Sequence, residues 1–315
     1  MKKILSIIDK FISIQRLDNH IIICLGKLFK FSFRCKANFN YKEAIKFGLN
    51  KEYRNPKVIV SLTTYPKRML PIIKTINTLL NQNIKPDKII LYLTQDEFLN
   101  KEKDLPKELI KLTNLGLEIR WCGYMRSYQK LVPALKDFPN DIIVTADDDV
   151  LYPQDWLEGL YNAYLKNNKC IYTYRTIRLL LDKSNKIKTY SSRESLRADC
   201  SMPSYFNSLM GVSGVLYPPN SLFKDVLAID KFKKIIPTHD DVWFWAMSVL
   251  NKTKTAVLYN YKKTMYLQEE GLNFGLHSIN KDNSEGMPFL NAVDAVIKEY
   301  PQILEILNSE IQNCS

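Results

Sequence analysis

The chain has 315 residues, of which 46% are hydrophobic and 11% aromatic, and its 45 Lys and Arg against 33 Asp and Glu give a net charge of +12. This composition can bury a sizeable core and excludes general disorder, while only 10 Gly and 14 Pro exclude collagen-like and low-complexity architectures. No uncharged apolar run reaches about 18 residues, so no membrane span is predicted.

The basic excess is spread along the chain and does not form an arginine-rich run. No zinc-finger, RRM or basic-zipper pattern accompanies it, so nucleic acid is not predicted as a partner. An anionic membrane surface or a phosphorylated small substrate fits the charge, and so does an ordinary lysine-rich surface in solvent. The six cysteines are scattered without a C-x-x-C pair, which excludes the usual zinc spacing and favours thiols in the reducing cytoplasm.

Residues 1–50 are predicted to form a separate basic, amphipathic segment. Apolar residues recur there at helical spacing among lysines, namely Ile4, Ile7, Ile8, Phe11 and Ile12. This pattern favours a helix held by anionic lipid at the inner face of the plasma membrane, and the alternative is a helix packed on the main domain. Asp9 and Lys10 interrupt the apolar run and no small-residue cleavage site follows, so a signal peptide is not predicted.

Residues 51–290 are predicted to form the main domain, in which strands and helices alternate. Runs rich in β-branched residues predict strands at 57–64, 88–94, 117–122, 141–146 and 170–174. Helices are predicted at 69–83, 105–114, 127–138 and 153–166, the last opened by Pro153. This alternation predicts an α/β, Rossmann-like, mostly parallel sheet flanked by helices on both faces. Ligands of such sheets bind beyond the carboxyl ends of the strands.

The pattern is less regular beyond residue 175. Residues 182–209 are predicted to form a long loop, 211–217 a short strand and 238–250 a helix. A single terminal helix is predicted over 288–311, so that 291–315 forms a C-terminal helical segment.

An acidic triplet, Asp147, Asp148 and Asp149, directly follows the strand predicted at 141–146. Adjacent like charges raise one another's pKa values unless a cation neutralises them, and a hard divalent ion, Mg²⁺ or Mn²⁺, is the natural partner. If the strand continued, Asp147 and Asp149 would lie on one side and Asp148 on the other. The alternative is a polar turn in solvent. The triplet therefore predicts Asp147 and Asp149 as ligands of a metal ion, which would also bind substrate phosphates.

No glycine-rich phosphate motif occurs in the chain, because both G-x-G-x-x-G after the first strand and G-x-x-x-x-G-K-[ST] are missing. Phosphates would therefore be bound by the metal and by basic side chains near the strand ends. The candidates are Lys67, Arg68, Arg126 and Lys130. The alternative for each of them is an ordinary surface charge.

Six segments carry a resemblance to a known family: 60–68 (VSLTTYPKR), 85–98, 127–135, 141–161 (DIIVTADDDVLYPQDWLEGLY), 211–219 and 239–247. In this order they resemble bacterial glycosyltransferases with the GT-A fold, similar to the family 2 enzymes that build capsules and lipopolysaccharide. The resemblance covers about 57–300 and includes the family's Asp-x-Asp element. It implies a nucleotide-sugar donor, a divalent metal and an aspartate base.

The resemblance also carries the predicted donor-binding residues. These are Thr63, Tyr65, Lys67, Arg68, Lys130, Asp147 and Asp148. The donor is predicted to be a nucleotide-diphosphate sugar and the cofactor Mn²⁺ or Mg²⁺.

A second acidic motif precedes an apolar run as His239, Asp240 and Asp241. Thr238 with Asp241 resembles a capping box, and first-turn carboxylates favour a helix without any chemistry. The alternative is that one carboxylate accepts the proton of the acceptor hydroxyl, as inverting sugar transfer requires. Asp241 is preferred over Asp240 as this base. The tryptophans of the run are predicted to lie in the core.

His277 is a further candidate, because several GT-A enzymes complete the metal shell with a late histidine. The alternative is a hydrogen-bonded surface histidine.

The leading hypothesis is an inverting, metal-dependent, hexosyltransferase-like glycosyltransferase. Its acceptor would be a hydroxyl of a glycan or lipid-linked glycan used for capsule or lipopolysaccharide. A nucleotidyl- or phosphotransferase could use the same triplet, although Leu151 departs from the aspartyl-phosphate phosphatase pattern. A non-catalytic glycan- or membrane-binding scaffold is the third hypothesis, and the intact acids at both motifs count against it.

Overall fold

A seven-stranded sheet runs through the centre of the computed structural model, which describes residues 48–189, 202–258, 266–267 and 287–314. Nearly all of the predicted segment 1–50 lies outside these residues. Its predicted helix and its predicted membrane association therefore stay predictions. The sheet order is β11-β6-β10-β4-β1-β2-β3. These strands are β1 Val58–Thr63, β2 Lys88–Thr94, β3 Leu117–Cys122, β4 Ile142–Thr145, β6 Ile171–Thr173, β10 Val215–Tyr217 and β11 Thr255–Val257.

The predicted mostly parallel sheet is confirmed. Only β10 among the seven strands runs antiparallel to its neighbours, β4 and β6. β1 is an interior strand, since its Val60 lies opposite both Ile89 of β2 and Val144 of β4. The carboxyl ends of β4, β1, β2 and β3 therefore reach the same edge of the sheet.

Helices cover both faces of this sheet, as predicted. They are α1 Met69–Leu80, α2 Lys107–Lys111, α3 Val132–Asp137, α4 Trp156–Lys166, α5 Ile229–Ile235, α6 Asp240–Leu250, α7 Phe289–Glu299 and α8 Gln302–Cys314. Alternate β1 residues enter two separate cores. Val58 and Val60 pack with α1, α2 and α4, and Ile59 packs with the helices of the other face. Burial on both faces explains why β1, β2 and β4 are nearly continuous apolar runs.

The bounds of three predicted helices are corrected, and each change lies at or beside a proline. The helix predicted at 127–138 is a 3-10 turn, Arg126–Lys130, followed by α3, because Pro133 is tolerated only in a first turn. The terminal helix predicted at 288–311 is divided into α7 and α8 at Tyr300, whose helical conformation is disfavoured by Pro301. Pro153 does not open α4. Its carbonyl accepts the Trp156 N–H at 3.0 Å in a turn before the helix.

The loop predicted at 182–209 is also corrected. β7 Thr176–Leu181 pairs antiparallel with β8 Ile187–Thr189 and with β9 Asn207–Leu209, and residues 190–201 lie outside the described residues. The Asp182 carboxylate accepts the backbone N–H groups of Ser184 and Lys186, which forms the tight turn between β7 and β8. A further short pair joins β5 Val150–Leu151 to β12 Tyr266–Leu267.

Helix α6 is buried on all sides. The side chains of Trp243, Phe244 and Trp245 are completely inaccessible to solvent, which confirms the prediction that the tryptophans belong to the core. The Trp245 indole N–H donates to the Tyr205 carbonyl at 2.8 Å. Among the described residues, no helix has both the length and the apolarity needed to cross a membrane.

Replacing Trp243 by alanine should lower the free energy of unfolding by roughly 3–5 kcal/mol, because the surrounding core cannot fill the cavity. Urea denaturation at an unchanged m-value measures this loss. Leu165→Ala on α4 is the control, since Leu165 is 61% exposed and should change stability by less than about 0.5 kcal/mol. Equal effects of the two substitutions would contradict the placement of α6 in the core.

Candidate active site

The acidic triplet lies beyond the carboxyl end of β4, beside the end of β1. The Ala146 N–H donates to the Ser61 carbonyl at 3.0 Å, and the chain then turns through Asp148 and Asp149 before β5. Because β4 ends at Thr145, strand alternation does not reach the triplet. The condition under which Asp147 and Asp149 would be divided from Asp148 is therefore not met.

A buried arginine holds two of the three carboxylates. Arg68 Nη1 lies 2.6 Å from Asp148 Oδ1, and Arg68 Nη2 lies 3.1 Å from Asp149 Oδ2. Asp148 also accepts the Thr64 hydroxyl at 2.6 Å, and its carbonyl accepts the Thr75 hydroxyl at 2.9 Å. These contacts tie the triplet to the loop after β1 and to α1. Asp148 is therefore held by the protein itself, and its contact with a donor stays a prediction.

Burial and crowding shift the acidity of this pair. Burial raises the pKa of Asp149 to about 6, with Asp147 and Asp148 adding to the increase and Arg68 opposing it. Burial likewise raises the pKa of Asp148, against the opposing effect of Arg68 and of the Thr64 hydroxyl. The ionised carboxylates are thus incompletely compensated, which favours a cation at this edge of the sheet.

A buried lysine joins the triplet to the second acidic motif. Lys130 Nζ lies 3.0 Å from Asp147 Oδ1, 3.0 Å from Asp240 Oδ2 and 3.9 Å from Asp241 Oδ1. Burial alone would lower the pKa of Lys130, but the three carboxylates outweigh it and raise that pKa well above its ordinary value. The ammonium therefore stays charged, and two motifs far apart in sequence form one site.

The two carboxylates of the second motif differ in their contacts. Asp240 Oδ1 accepts the Ser127 hydroxyl at 2.8 Å, and Asp240 Oδ2 forms an ion pair with Lys130 Nζ at 3.0 Å. Asp241 Oδ2 accepts the Gly211 N–H at 2.9 Å, and neither Asp240 Oδ2 nor Asp241 Oδ1, both of them buried, makes a hydrogen bond among the described residues. The side chain of Asp241 nevertheless keeps 32% of its surface exposed. Asp241 is thus the more accessible carboxylate of this motif, since the side chain of Asp240 is 9% exposed.

The pKa of Asp241 is raised well above its ordinary value. Burial is the main cause, and the nearby charges of Asp240 and Asp147 add to it, while Lys130 and the Gly211 N–H oppose it. The capping-box interpretation is wrong, because α6 begins at Asp240 with His239 as its N-cap residue. The carboxylate of Asp241 is directed to the loop before β10.

Because Gly211 has no side chain, the space beside it is occupied by the charged groups of Lys130 and Asp241. A Cβ atom at position 211 would lie 2.5 Å from Lys130 Nζ and 2.8 Å from Asp241 Oδ1. Sequence reasoning missed Gly211, Ser127 and Tyr152, whose hydroxyl accepts the Asp147 N–H at 2.8 Å. Their only sequence signal is that each lies within one of the six resembling segments, at 211–219, 127–135 and 141–161.

The other predicted site residues are placed as follows. The Thr63 hydroxyl donates to the Tyr92 carbonyl of β2 at 2.8 Å, and the Tyr65 ring lies 5.6 Å from the Arg68 guanidinium carbon. Lys67 is exposed beside them, and Arg126 adopts a left-handed conformation with φ of 53° in the loop after β3. His277 lies outside the described residues, so its role stays a prediction.

The residues present are compatible with a divalent metal ion that also contacts a ligand. In the described part of the chain, no three acidic, histidine or cysteine side chains are placed to enclose a metal ion by themselves. Mg²⁺ and similar ions commonly use one or two carboxylates together with substrate phosphates. Asp147 and Asp149 offer such oxygens, and the carboxylates here outnumber the buried cations, Arg68 and Lys130.

A cavity of about 1060 Å³ lies elsewhere, and none of the predicted site residues lines it. Two of its carboxylates are already neutralised, since Asp225 pairs with Lys231 at 2.7 Å and Glu310 with Lys254 at 2.9 Å. The candidate metal-binding and catalytic residues therefore lie at the sheet edge and not in this cavity.

No family model matches the chain, and no curated protein matches it in sequence. Among solved structures, it is similar to the mannosyltransferase PcManGT from Pyrobaculum calidifontis in complex with GDP-Man and Mn²⁺, with 13% identity, a TM-score of 0.47, and 86% of this chain and 79% of that chain covered. It is similar to S. aureus TarS 1-349, with 14% identity, a TM-score of 0.48, and coverage of 80% and 83%. It is also similar to CMP:2-keto-3-deoxy-manno-octonic acid synthetase complexed with CTP, with 10% identity, a TM-score of 0.41, and coverage of 64% and 89%. These values are too low to assign a reaction to the chain.

Gly211→Ala should destabilise the protein by about 1–3 kcal/mol, because the added methyl group overpacks against Lys130 and Asp241. Gly123→Ala is the matched control, since a Cβ atom at position 123 would meet nothing within 4 Å. Urea denaturation of both variants measures the difference. Equal stability of the two variants would show that the space at Gly211 is not needed.

Proposed function

We propose that this protein is a metal-dependent glycosyltransferase that uses a nucleotide-diphosphate sugar. The observation that carries the proposal is the meeting of two acidic motifs around Lys130, beyond the carboxyl ends of parallel strands. Ligands of open α/β sheets bind at this edge. The six segments that resemble GT-A glycosyltransferases include both motifs, which supports the same assignment.

Asp147 and Asp149 are the residues proposed to hold Mn²⁺ or Mg²⁺ together with the donor diphosphate. When bound, this ion neutralises the developing charge of the leaving diphosphate. Lys67 is exposed beside the Arg68 loop and is proposed to contribute a further positive charge to the donor. Arg68 itself acts mainly by holding Asp148 and Asp149 in place.

Asp241 is proposed as the general base. The acceptor hydroxyl oxygen attacks the anomeric carbon, and its proton passes to the carboxylate of Asp241. The bond between the anomeric carbon and the diphosphate oxygen breaks, and its electron pair leaves with the nucleoside diphosphate. Attack opposite the leaving group inverts the anomeric configuration. The greater exposure of the Asp241 side chain, 32% against 9% for Asp240, supports Asp241 over Asp240.

The acceptor proposed is a hydroxyl of a glycan or lipid-linked glycan for capsule or lipopolysaccharide, and the transferred group a hexose. These finer assignments rest on the resemblance of the six segments. The basic amphipathic pattern of residues 1–50 supports a peripheral position at the inner face of the plasma membrane.

A thermal-shift screen of nucleoside diphosphates, with and without Mn²⁺, tests the donor assignment. The matching nucleotide should raise Tm only when the ion is present. At a concentration of 100 times its Kd, it should add about 2.7 kcal/mol to the free energy of unfolding. Transfer from the corresponding nucleotide sugar should then release the nucleoside diphosphate and give an inverted product by NMR. Retention of configuration would contradict the inverting mechanism, and release of pyrophosphate would favour the nucleotidyltransferase alternative.

Asp241→Asn should lower kcat by roughly 10²–10⁴-fold with little change in donor KM, because a positioned base acts in the chemical step. The asparagine can still accept the Gly211 N–H, so Tm should stay near that of the wild type. Asp240→Asn is the matched variant and should be milder in kcat. A larger loss in Asp240→Asn would move the base to Asp240, and turnover within a few-fold of wild type in both variants would overturn the site.

The pH dependence should report the raised pKa of Asp241. Because the base acts only when ionised, kcat/KM should rise with pH, with an acid limb above the range of an exposed aspartate. Asp240→Asn removes a like charge that raises the pKa of Asp241, so the acid limb should move to lower pH. Lys130, Asp147 and the Gly211 N–H face the same carboxylate. An acid limb that does not move in Asp240→Asn would contradict the coupling of the two carboxylates.

A further inference from the structure

Lys130 is enclosed by the two acidic motifs and the loop before β10. Its side chain is 8% exposed, and its ammonium lies 3.0 Å from both Asp147 Oδ1 and Asp240 Oδ2. Asp241 Oδ1 follows at 3.9 Å, and a Cβ atom built at Gly211 would lie 2.5 Å from Nζ. An ammonium has three N–H donors, and these neighbours surround it. This enclosure leaves little room for a diphosphate at Nζ.

We propose that Lys130 is a positioning residue that sets the separation between donor-side Asp147 and acceptor-side Asp240 and Asp241, and that it does not bind the donor. This inference rests on the proposed function. It replaces the expectation that Lys130 contacts the nucleotide sugar. One ammonium bound to a carboxylate from each motif holds the turn after β4 against the first turn of α6.

The kinetic consequence is a loss of kcat without a loss of donor affinity. The base and the donor-side carboxylates must act on one sugar, and a displacement of about 1 Å can cost about 10²-fold in rate. A lysine that bound the diphosphate would instead raise the donor KM when removed. The two roles are therefore separated by which kinetic constant changes.

The electrostatic consequence concerns the cation affinity of the site. Removing a buried positive charge from among three carboxylates makes the local potential more negative. Mn²⁺ should therefore bind at least about tenfold more tightly to Lys130→Met than to the wild type in the absence of nucleotide. EPR titration of free Mn²⁺ against the full chain measures this affinity without any turnover.

Lys130→Met and Lys88→Met form the experimental pair. Methionine keeps most of the lysine stem, and Lys88 makes an ion pair with Glu118 at 2.8 Å that is one-third exposed, away from the acidic cluster. In Lys130→Met, kcat should fall by roughly 10–100-fold, donor KM should change by less than about threefold, and Mn²⁺ should bind more tightly. Lys88→Met should leave all three values unchanged. A raised donor KM with unchanged kcat, or unchanged Mn²⁺ affinity, would overturn the proposal.

A double variant covers the case in which Lys130→Met folds poorly. Lys130→Met with Asp240→Asn removes one positive and one negative charge, and should recover much of the Tm lost in Lys130→Met. No recovery would show that the pairing of the Lys130 charge with Asp240 does not hold the two motifs together, against the proposal. If the wild type transfers no sugar from any nucleotide sugar, the proposed function fails, while the Mn²⁺ titration and the double variant still decide the role of Lys130.

Discussion

The ion pairs of one buried lysine determine how this site is assembled. Moving an ammonium out of water costs several kcal/mol, and only close carboxylates offset that cost. Lys130 finds them on two segments far apart in the chain, at Asp147 and at Asp240 with Asp241. The turn after β4 and the start of α6 must therefore lie together whenever Lys130 is buried. The same contact that stabilises the fold also defines the distance across which the proposed transfer would occur.

Arg68 and Lys130 divide the acidic cluster according to their chemistry. The planar guanidinium of Arg68 uses two nitrogens to hold Asp148 and Asp149, as its fork geometry allows. The compact ammonium of Lys130 gathers carboxylates from different directions. Because the carboxylates outnumber these cations, burial leaves the pKa values of Asp149 and Asp241 raised. Such a site favours a cation beside Asp149 and a proton on Asp241. The proposed reaction requires both.

The elements predicted best were those whose signal is local. The strands at 88–94 and 117–122 have the bounds expected from sequence, because the first is an apolar run and the second alternates apolar residues with Glu118 and Arg120. The helices at 127–138 and 288–311 were predicted too long, because periodicity continues across Pro133 and Pro301 although the backbone cannot. β7 to β9 were missed as a sheet, because short strands become recognisable only through the partner with which they pair.

The sequence by itself determined the α/β class, the mostly parallel sheet and the sheet edge at which carboxylates collect, since apolar periodicity and strand ends are local properties of the chain. It also identified both acidic motifs as separate candidates. Only the tertiary structure decided that Asp148 is held by Arg68, that Lys130 joins the motifs, and that Asp241 stays more exposed than Asp240. The physical reason is that ion pairing and burial depend on distances in three dimensions. The importance of a residue such as Gly211 likewise depends on which side chains pack against it.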